Sequence, residues 1–149
     1  MQKFDLVIKN GNVVIPKAGI KRLDIGVLNK KISTISENIP EQDAFNLIDA
    51  TDRFVFPGAI DSHFHIGIYR PLSDDAESES TSAASGGITT ILSYFRTETN
   101  YLNKTGLYKD IFPELLEKSK NSFLTDYSYH IVIMDNDQIN EIEWLVREC

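Results

Sequence analysis

The sequence has 149 residues, and its content of 42% hydrophobic and 25% charged residues is typical of a globular domain rather than of a disordered or fibrous chain. Its net charge of −7 argues against non-specific binding to nucleic acid or to an anionic membrane surface. The only cysteine is Cys149, which excludes a disulfide framework, and the absence of a long apolar run leads us to expect a cytoplasmic protein.

The first third of the chain reads as short strands separated by turn residues. The predicted strands are Phe4 to Ile8, Val13 to Ile15, Ile25 to Leu28, Ile32 to Ile35, Phe45 to Ile48 and Phe54 to Phe56. Asn10-Gly11 and Asn29-Lys30-Lys31 predict hairpin turns between the first and second pairs. Residues 1–54 are therefore expected to form a small β-sheet unit of about five or six strands, with no catalytic signal.

From residue 55 onward, predicted strands alternate with predicted helices. The first strand runs from about Val55 to Phe64, and Asp74-Asp75 can cap a helix that ends at Gly86-Gly87. The run from Ile88 to Phe95 is β-branched and then aromatic, as expected for a buried strand. This alternation predicts an α/β class with parallel strands joined by helices.

The last third of the chain repeats the pattern. A polar loop over residues 100–105 precedes a helix capped by Asp110, with Pro113 in its first turn. Tyr127 to Met134 is the third strand, and a final helix runs from about Asp137 to the end of the sequence.

A chemical signal lies at the end of the first of these strands. Asp61, His63 and His65 alternate, so on an extended strand their side chains project to one side. Two neutral imidazoles two residues apart can bind the same divalent cation, although isolated histidines are more often ordinary polar residues at a strand end. A catalytic zinc usually has three protein ligands, and this sequence offers no second pair of this kind. No catalytic residue and no residue that binds an organic cofactor is identified.

The sequence around these histidines resembles a known family. Pro57-Gly58-Ala59-Ile60-Asp61-Ser62-His63-Phe64-His65 resembles the first barrel strand of the amidohydrolase superfamily, whose signature is Pro-Gly-x-x-Asp-x-His-x-His. Gly86-Gly87-Ile88-Thr89-Thr90 resembles the family's turn into its second strand. The flanking residues are most similar to cyclic amidohydrolases, namely dihydropyrimidinase (hydantoinase) and its relatives allantoinase and dihydroorotase.

The resemblance implies a fold and a division of the chain. Residues 55–149 would be the first part, about three βα units, of a (β/α)8 TIM barrel, and residues 1–54 would be part of a β-sandwich beside it. The chain would then be an incomplete, amino-terminal fragment. Relatives are commonly tetramers, so the full-length protein is expected to be a homo-oligomer.

The resemblance also implies a reaction. Family members open small cyclic amides or imides with metal-activated water, and His63 and His65 would hold one metal, expected to be zinc, of a binuclear site. The family's bridging carboxylated lysine, two further histidines and metal-binding aspartate would lie beyond Cys149. Because three of eight barrel strands would leave sheet edges and apolar faces uncovered, the isolated fragment is expected to be unstable, aggregating or inactive.

Several roles stay open at this stage. Asp61 could lie near the metal, or it could orient the strand through backbone hydrogen bonds, which we favour. His130 is expected to be a core or strand-end residue rather than a ligand. Arg70 could reach an anionic substrate group, although an exposed loop arginine is more often solvated.

The resemblance also separates the candidate functions. Gly67 stands where dihydroorotases carry a substrate-binding arginine, which disfavours dihydroorotase activity. A non-catalytic dihydropyrimidinase-like protein is the alternative from another class, and retention of both histidines argues against it.

The acidic residues Asp74, Asp75, Glu77 and Glu79 are expected to form a solvated helix face.

Overall fold

The computed structural model describes residues 3–148, and it divides into one compact unit up to Pro57 and a second from Gly58 onward. Both units contain β-sheet, and the α-helices among the described residues all belong to the second unit. The class is therefore α/β, as predicted. Cys149, where the last helix was expected to end, lies outside the described residues.

The first unit is built on one mixed sheet. Its strands are β1 (Leu6–Ile15), β2 (Gly19–Leu28), β3 (Lys31–Ser36), β4 (Leu47–Asp49) and β5 (Phe54–Val55). Their order is β3-β2-β1-β4, with β5 also paired to β1. The β1-β2 and β2-β3 pairs are antiparallel, whereas β4 and β5 run parallel to β1. A short 3-10 helix, Glu41–Asp43, lies in the predicted loop before β4.

The predicted turn at Asn10-Gly11 is wrong, whereas the second predicted hairpin is confirmed. β1 continues through Asn10, whose φ is 60° and whose backbone N–H donates to Asp24 Oδ1 at 2.8 Å. The left-handed residue therefore makes a β-bulge instead of a turn. Asn29 and Lys30, with φ of 51° and 62°, form the tight turn between β2 and β3.

A buried carboxylate holds this sheet together. Asp24 is 2% exposed, and its Oδ2 accepts hydrogen bonds from Lys9 Nζ at 2.5 Å and from the backbone N–H of Ile39 at 2.8 Å. Burial by itself would raise the pKa of Asp24, but the hydrogen bonds from Lys9, Asn10 and Ile39 outweigh it and hold that pKa below its ordinary value. Asp24 thus links β2 to the bulge in β1 and to the segment after β3.

The second unit alternates strands and helices. Its elements are β6 (Ala59–Phe64), α1 (Leu72–Ser85), β7 (Ile88–Phe95), α2 (Tyr108–Ser119), β8 (Asp126–Ile131), α3 (Asn136–Ile139) and α4 (Ile142–Glu148). The three strands form a parallel sheet in the order β6-β7-β8. Because the strands are parallel and joined by helices, their carboxyl ends meet at one edge. β7 has the bounds that the sequence predicted.

The start of the first strand of this sheet was predicted too early. Val55 pairs with Val13 in the first unit, and β6 begins only at Ala59, after Pro57-Gly58. A side chain at Gly58 would collide with the side chain of Thr89, so glycine permits the close approach of the two segments.

The predicted cap of α2 and the prediction of one continuous final helix are also wrong. α2 begins at Tyr108, so Pro113 lies in the second turn of the helix and Asp110 lies within the first turn instead of capping it. The cap comes from Glu141, which accepts from the backbone N–H of Tyr108 at 2.6 Å and of Lys109 at 2.9 Å. This use of Glu141 coincides with the break that divides the predicted final helix into α3 and α4.

The third strand and the first helix differ less from prediction. β8 ends at Ile131, three residues before the predicted Met134. α1 begins at Leu72, after Pro71, so the predicted cap at Asp74-Asp75 is wrong: both residues lie in the first turn, and no side chain caps the helix. The core of this unit joins α1, β7, α2 and the loops after β6 and β7. It consists of Ile66, Leu72, Ala76, Phe95, Tyr101, Tyr108, Ile111, Phe112 and Leu115.

No helix among residues 3–148 is long and apolar enough to cross a membrane.

Candidate metal centre

The carboxyl ends of β6, β7 and β8 bring three histidines around one tyrosine. The ring centroid of Tyr94 lies 4.9 Å from that of His63, 5.4 Å from that of His65 and 5.1 Å from that of His130. Tyr94 pairs in register with His130 and is one residue from the end of β7. The sequence placed Tyr94 in a strand but did not show that it lies among the three histidines. The only signal was its position near the end of that strand.

His63 and His65 meet through their Nε2 atoms. These two nitrogens are 3.3 Å apart, and the rings lie edge to face with centroids 5.2 Å apart. His63 is in β6, and His65 follows the last residue of that strand. Both side chains are exposed, so a small ligand can reach the pair.

Asp61 is engaged with the backbone of the same strand. Its Oδ1 accepts a hydrogen bond from the backbone N–H of His63 at 3.0 Å. The register of β6 against β7 is interrupted between Asp61 and Phe64, so the strand end is irregular. This backbone hydrogen bond is the one expected if Asp61 orients the strand, which is the role that we favour.

The second ring nitrogen of His65 faces Tyr101. The Tyr101 hydroxyl lies 3.2 Å from His65 Nδ1, and the tyrosine is only 8% exposed. Burial raises the pKa of Tyr101, against an opposing effect of the positive charge of Arg96. The sequence indicated only a polar loop here, because nothing local shows that the loop folds back onto His65.

The loop after His65 is held by its glycine. Gly67 has a φ of 74°, donates its backbone N–H to Asp75 Oδ2 at 2.9 Å and accepts from the backbone N–H of Tyr101 at 2.6 Å. Asp75 is 5% exposed, so the predicted solvated face of α1 is wrong for this residue, although Asp74 is exposed. A Cβ at Gly67 would lie 3.3 Å from atoms of Leu72 and Tyr101, so an arginine at this position would be sterically crowded.

The remaining candidates are His130 and Arg70. His130 is half-buried and lies one residue before the end of β8, as a strand-end residue. Its Nε2 lies 3.2 Å from the backbone oxygen of Ser62. Arg70 is exposed. Within residues 3–148, no group of three or more histidine, cysteine, aspartate or glutamate side chains is arranged to hold a metal. Of the three histidines at this edge of the sheet, His63 and His65 are the pair whose ring nitrogens lie close enough to share a metal.

Comparison with known proteins gives this arrangement a family. No protein-family model matches the chain. The chain is 33% identical over 147 residues to the D-hydantoinase of Geobacillus stearothermophilus, covering 95% of this chain and 30% of that protein. It is 42% identical over 92 residues to the allantoinase of Desulfitobacterium hafniense (strain Y51), covering 59% of this chain and 20% of that protein.

Solved structures agree with the sequence comparison. The L-hydantoinase (dihydropyrimidinase) from Arthrobacter aurescens matches with a TM-score of 0.69 and 33% identity, over 85% of this chain and 27% of that chain. The atrazine chlorohydrolase TrzN from Arthrobacter aurescens TC1, solved in complex with zinc, shares the fold with a TM-score of 0.70 but only 13% identity, over 96% of this chain and 43% of that chain.

These similarities show that the chain belongs to the amidohydrolase superfamily. Within the superfamily it belongs to the cyclic amidohydrolase branch, as the residues flanking the His63 and His65 motif predicted. The chain spans about 30% of the length of the first curated relatives that it matches.

Proposed function

We propose that this chain is the part of a cyclic amidohydrolase that supplies two ligands to a metal centre, and that the whole protein opens the ring of a small cyclic amide or imide. The observation that carries this proposal is the 3.3 Å separation of His63 Nε2 and His65 Nε2 at the carboxyl end of β6. The similarity to D-hydantoinase and allantoinase supports the class of substrate.

The pair has the dimensions that a tetrahedral metal requires. Two nitrogens at about 2.0–2.1 Å from a zinc ion, at the tetrahedral angle, are roughly 3.3–3.4 Å apart. The separation of His63 and His65 agrees with this value without any rearrangement. A divalent metal therefore suits the site, and zinc is our proposal for its identity, consistent with the zinc bound by TrzN, a protein of the same fold.

The side chains around the pair have supporting roles in this proposal. When bound, a divalent cation lowers the pKa of water and polarises an amide carbonyl, which hydrolysis of an unactivated C–N bond needs. His63 and His65 hold it, Asp61 fixes the strand end through the His63 backbone, and the ring of Tyr94 stacks on His65 at an interplanar angle of 18°. The chain shows no group that we assign as the general base.

The fold supports a finer architectural proposal. In a (β/α)8 barrel the active site lies at the carboxyl ends of the strands, and that is the edge at which His63 and His65 lie. We therefore assign the second unit, predicted as residues 55–149, to part of such a barrel, and the first, predicted as residues 1–54, to part of a β-sandwich. The expected homo-oligomer stays a prediction.

Two other functions are less well supported. A non-catalytic relative would have no need for two imidazole nitrogens at metal-ligand spacing. A dihydroorotase would need an arginine where Gly67 stands, and the positive φ of Gly67 and its proximity to Tyr101 disfavour any side chain there.

Metal titration of the chain tests the site directly, although two ligands alone give only weak binding. Zinc binding is therefore followed by the imidazole NMR signals up to high zinc concentration, in the wild type and in the His63→Ala, His65→Ala and His130→Ala variants. We expect the first two variants to lose zinc binding. His130→Ala is the matched control, because it makes the same substitution at a neighbouring histidine, and it should retain binding. Equal zinc binding by wild type and His63→Ala would contradict the assignment.

A chimera tests the reaction. This chain replaces the matching segment of the Geobacillus stearothermophilus D-hydantoinase, and ring opening of hydantoin is measured. We expect turnover that is lost in His63→Ala and kept in His130→Ala. A folded, metal-loaded chimera that turns over equally well with and without His63 would refute the proposed role.

A further inference from the structure

The two ring nitrogens of His65 have different neighbours. Nε2 lies 3.3 Å from His63 Nε2, and Nδ1 lies 3.2 Å from the hydroxyl of Tyr101. A neutral imidazole carries one proton, so the hydrogen bond made by Nδ1 decides whether Nε2 keeps a free lone pair. Tyr101 therefore bears directly on whether His65 can be a metal ligand through Nε2.

The surrounding packing fixes the position of the Tyr101 hydroxyl. The side chain is 8% exposed, and its ring packs edge to face on Phe95 with centroids 5.7 Å apart. Its backbone N–H donates to the oxygen of Gly67 at 2.6 Å, which ties the loop to the segment that follows His65. The hydroxyl therefore has a fixed place beside Nδ1.

Two proton arrangements fit these distances. In the first, Nδ1–H of His65 donates to the Tyr101 oxygen, and His63 Nε2–H donates to His65 Nε2 when no metal is bound. In the second, the Tyr101 hydroxyl donates to Nδ1, and Nε2 of His65 carries the proton. Only the first leaves the Nε2 lone pair of His65 available to a metal.

We propose that Tyr101 is a positioning residue of the metal pair, whose hydroxyl accepts a hydrogen bond from Nδ1–H of His65 and so holds Nε2 in the form that binds metal. The proposal rests on the proposed function, because it assigns His65 as a ligand through Nε2. Hydrogen bonds from the second nitrogen of a ligating histidine fix both its tautomer and its ring orientation.

The first test reads the tautomer without any metal. Long-range 1H–15N correlation spectra of the 149-residue chain are recorded at about pH 8, where an ordinary histidine is neutral. We expect a protonated Nδ1 and an unprotonated Nε2 in His65, with a shift toward Nε2–H in Tyr101→Phe. Tyr94→Phe, which removes the hydroxyl of the other tyrosine at this ring, should leave the tautomer unchanged. A protonated Nε2 in wild-type His65 would overturn the proposal, and this result needs no variant.

The second test measures zinc affinity in the same three proteins. We expect Tyr101→Phe to weaken zinc binding by at least about tenfold and Tyr94→Phe to change it less. Equal affinity in wild type and Tyr101→Phe would overturn the positioning role. If zinc moved neither the His63 nor the His65 signals of the wild type, the proposed metal pair itself would fail, while the tautomer would still report on the Tyr101 hydrogen bond.

Discussion

The carboxylate of Asp75 in α1 accepts a hydrogen bond from the backbone N–H of Gly67 at 2.9 Å. Gly67 lies two residues after the candidate ligand His65. Asp75 is 5% exposed, so this is a buried, charge-assisted hydrogen bond. Together with the Tyr101 N–H that Gly67 accepts, it holds both polar groups of the Gly67 backbone. The geometry of the candidate site therefore depends on α1 and on the loop after β7 as well as on β6.

Replacing Asp75 should loosen this loop. We expect Asp75→Ala to lower the free energy of unfolding by about 1–3 kcal/mol, because the Gly67 N–H loses its partner in a buried place. The neighbouring exposed change Asp74→Ala is the control and should stay within about 0.5 kcal/mol of wild type. Urea denaturation followed by circular dichroism measures both, and equal effects of the two changes would contradict the assigned hydrogen bond.

Adding a methyl group at Gly67 should also be costly. Gly67→Ala places a side chain in a left-handed conformation, with Cβ 3.3 Å from atoms of Leu72 and Tyr101, so we expect a loss of about 1–2 kcal/mol. Gly86→Ala is the matched control, since Gly86 has a φ of −87° and its Cβ would meet only a backbone oxygen at 3.4 Å. Thermal unfolding of the two variants compares them, and a harmless Gly67→Ala would show that the loop takes another conformation.

The cap on α2 predicts a second long-range effect. Glu141 is 6% exposed and accepts from two backbone N–H groups at the start of α2, so Glu141→Ala should cost about 2 kcal/mol. Glu143→Ala removes an exposed partner of Arg147 and should cost less than about 0.5 kcal/mol. Trp144, the only tryptophan, lies beside both positions, and its fluorescence follows the unfolding. A larger effect at Glu143 than at Glu141 would refute the cap.

The buried Asp24 predicts a pH dependence in the first unit. Because the pKa of Asp24 in the folded chain lies below its ordinary value of 3.8, its stabilising effect is present above that value and is lost as the pH falls through the lower folded pKa. We expect Asp24→Asn to be destabilised by about 3 kcal/mol at neutral pH, where it leaves Lys9 without its buried partner. Below about pH 4 the difference from wild type should shrink.

Urea denaturation between neutral and acidic pH provides the measurement for Asp24. Glu37→Gln, an exposed change in the same unit, is the control and should follow the wild-type curve. A difference between wild type and Asp24→Asn that stayed constant with pH would exclude the proposed linkage.

Some features were determined by local sequence. The alternation of strands and helices from Ala59 onward, the bounds of β7 and the turn at Asn29-Lys30 follow from hydrophobic periodicity and turn chemistry, which act over a few residues. The closeness of His63 and His65 is also a short-range consequence of their spacing around a strand end. The family resemblance was carried by the same contiguous residues.

Other features were decided only by the tertiary structure, because they join residues far apart in the sequence. Asn10 makes a bulge instead of a turn because Asp24 binds its N–H, and α2 begins at Tyr108 because Glu141, 33 residues away, caps it. The contact between Tyr101 and His65 spans 36 residues. No local pattern encodes such pairings, since each depends on where the packed sheet and helices bring the loops together.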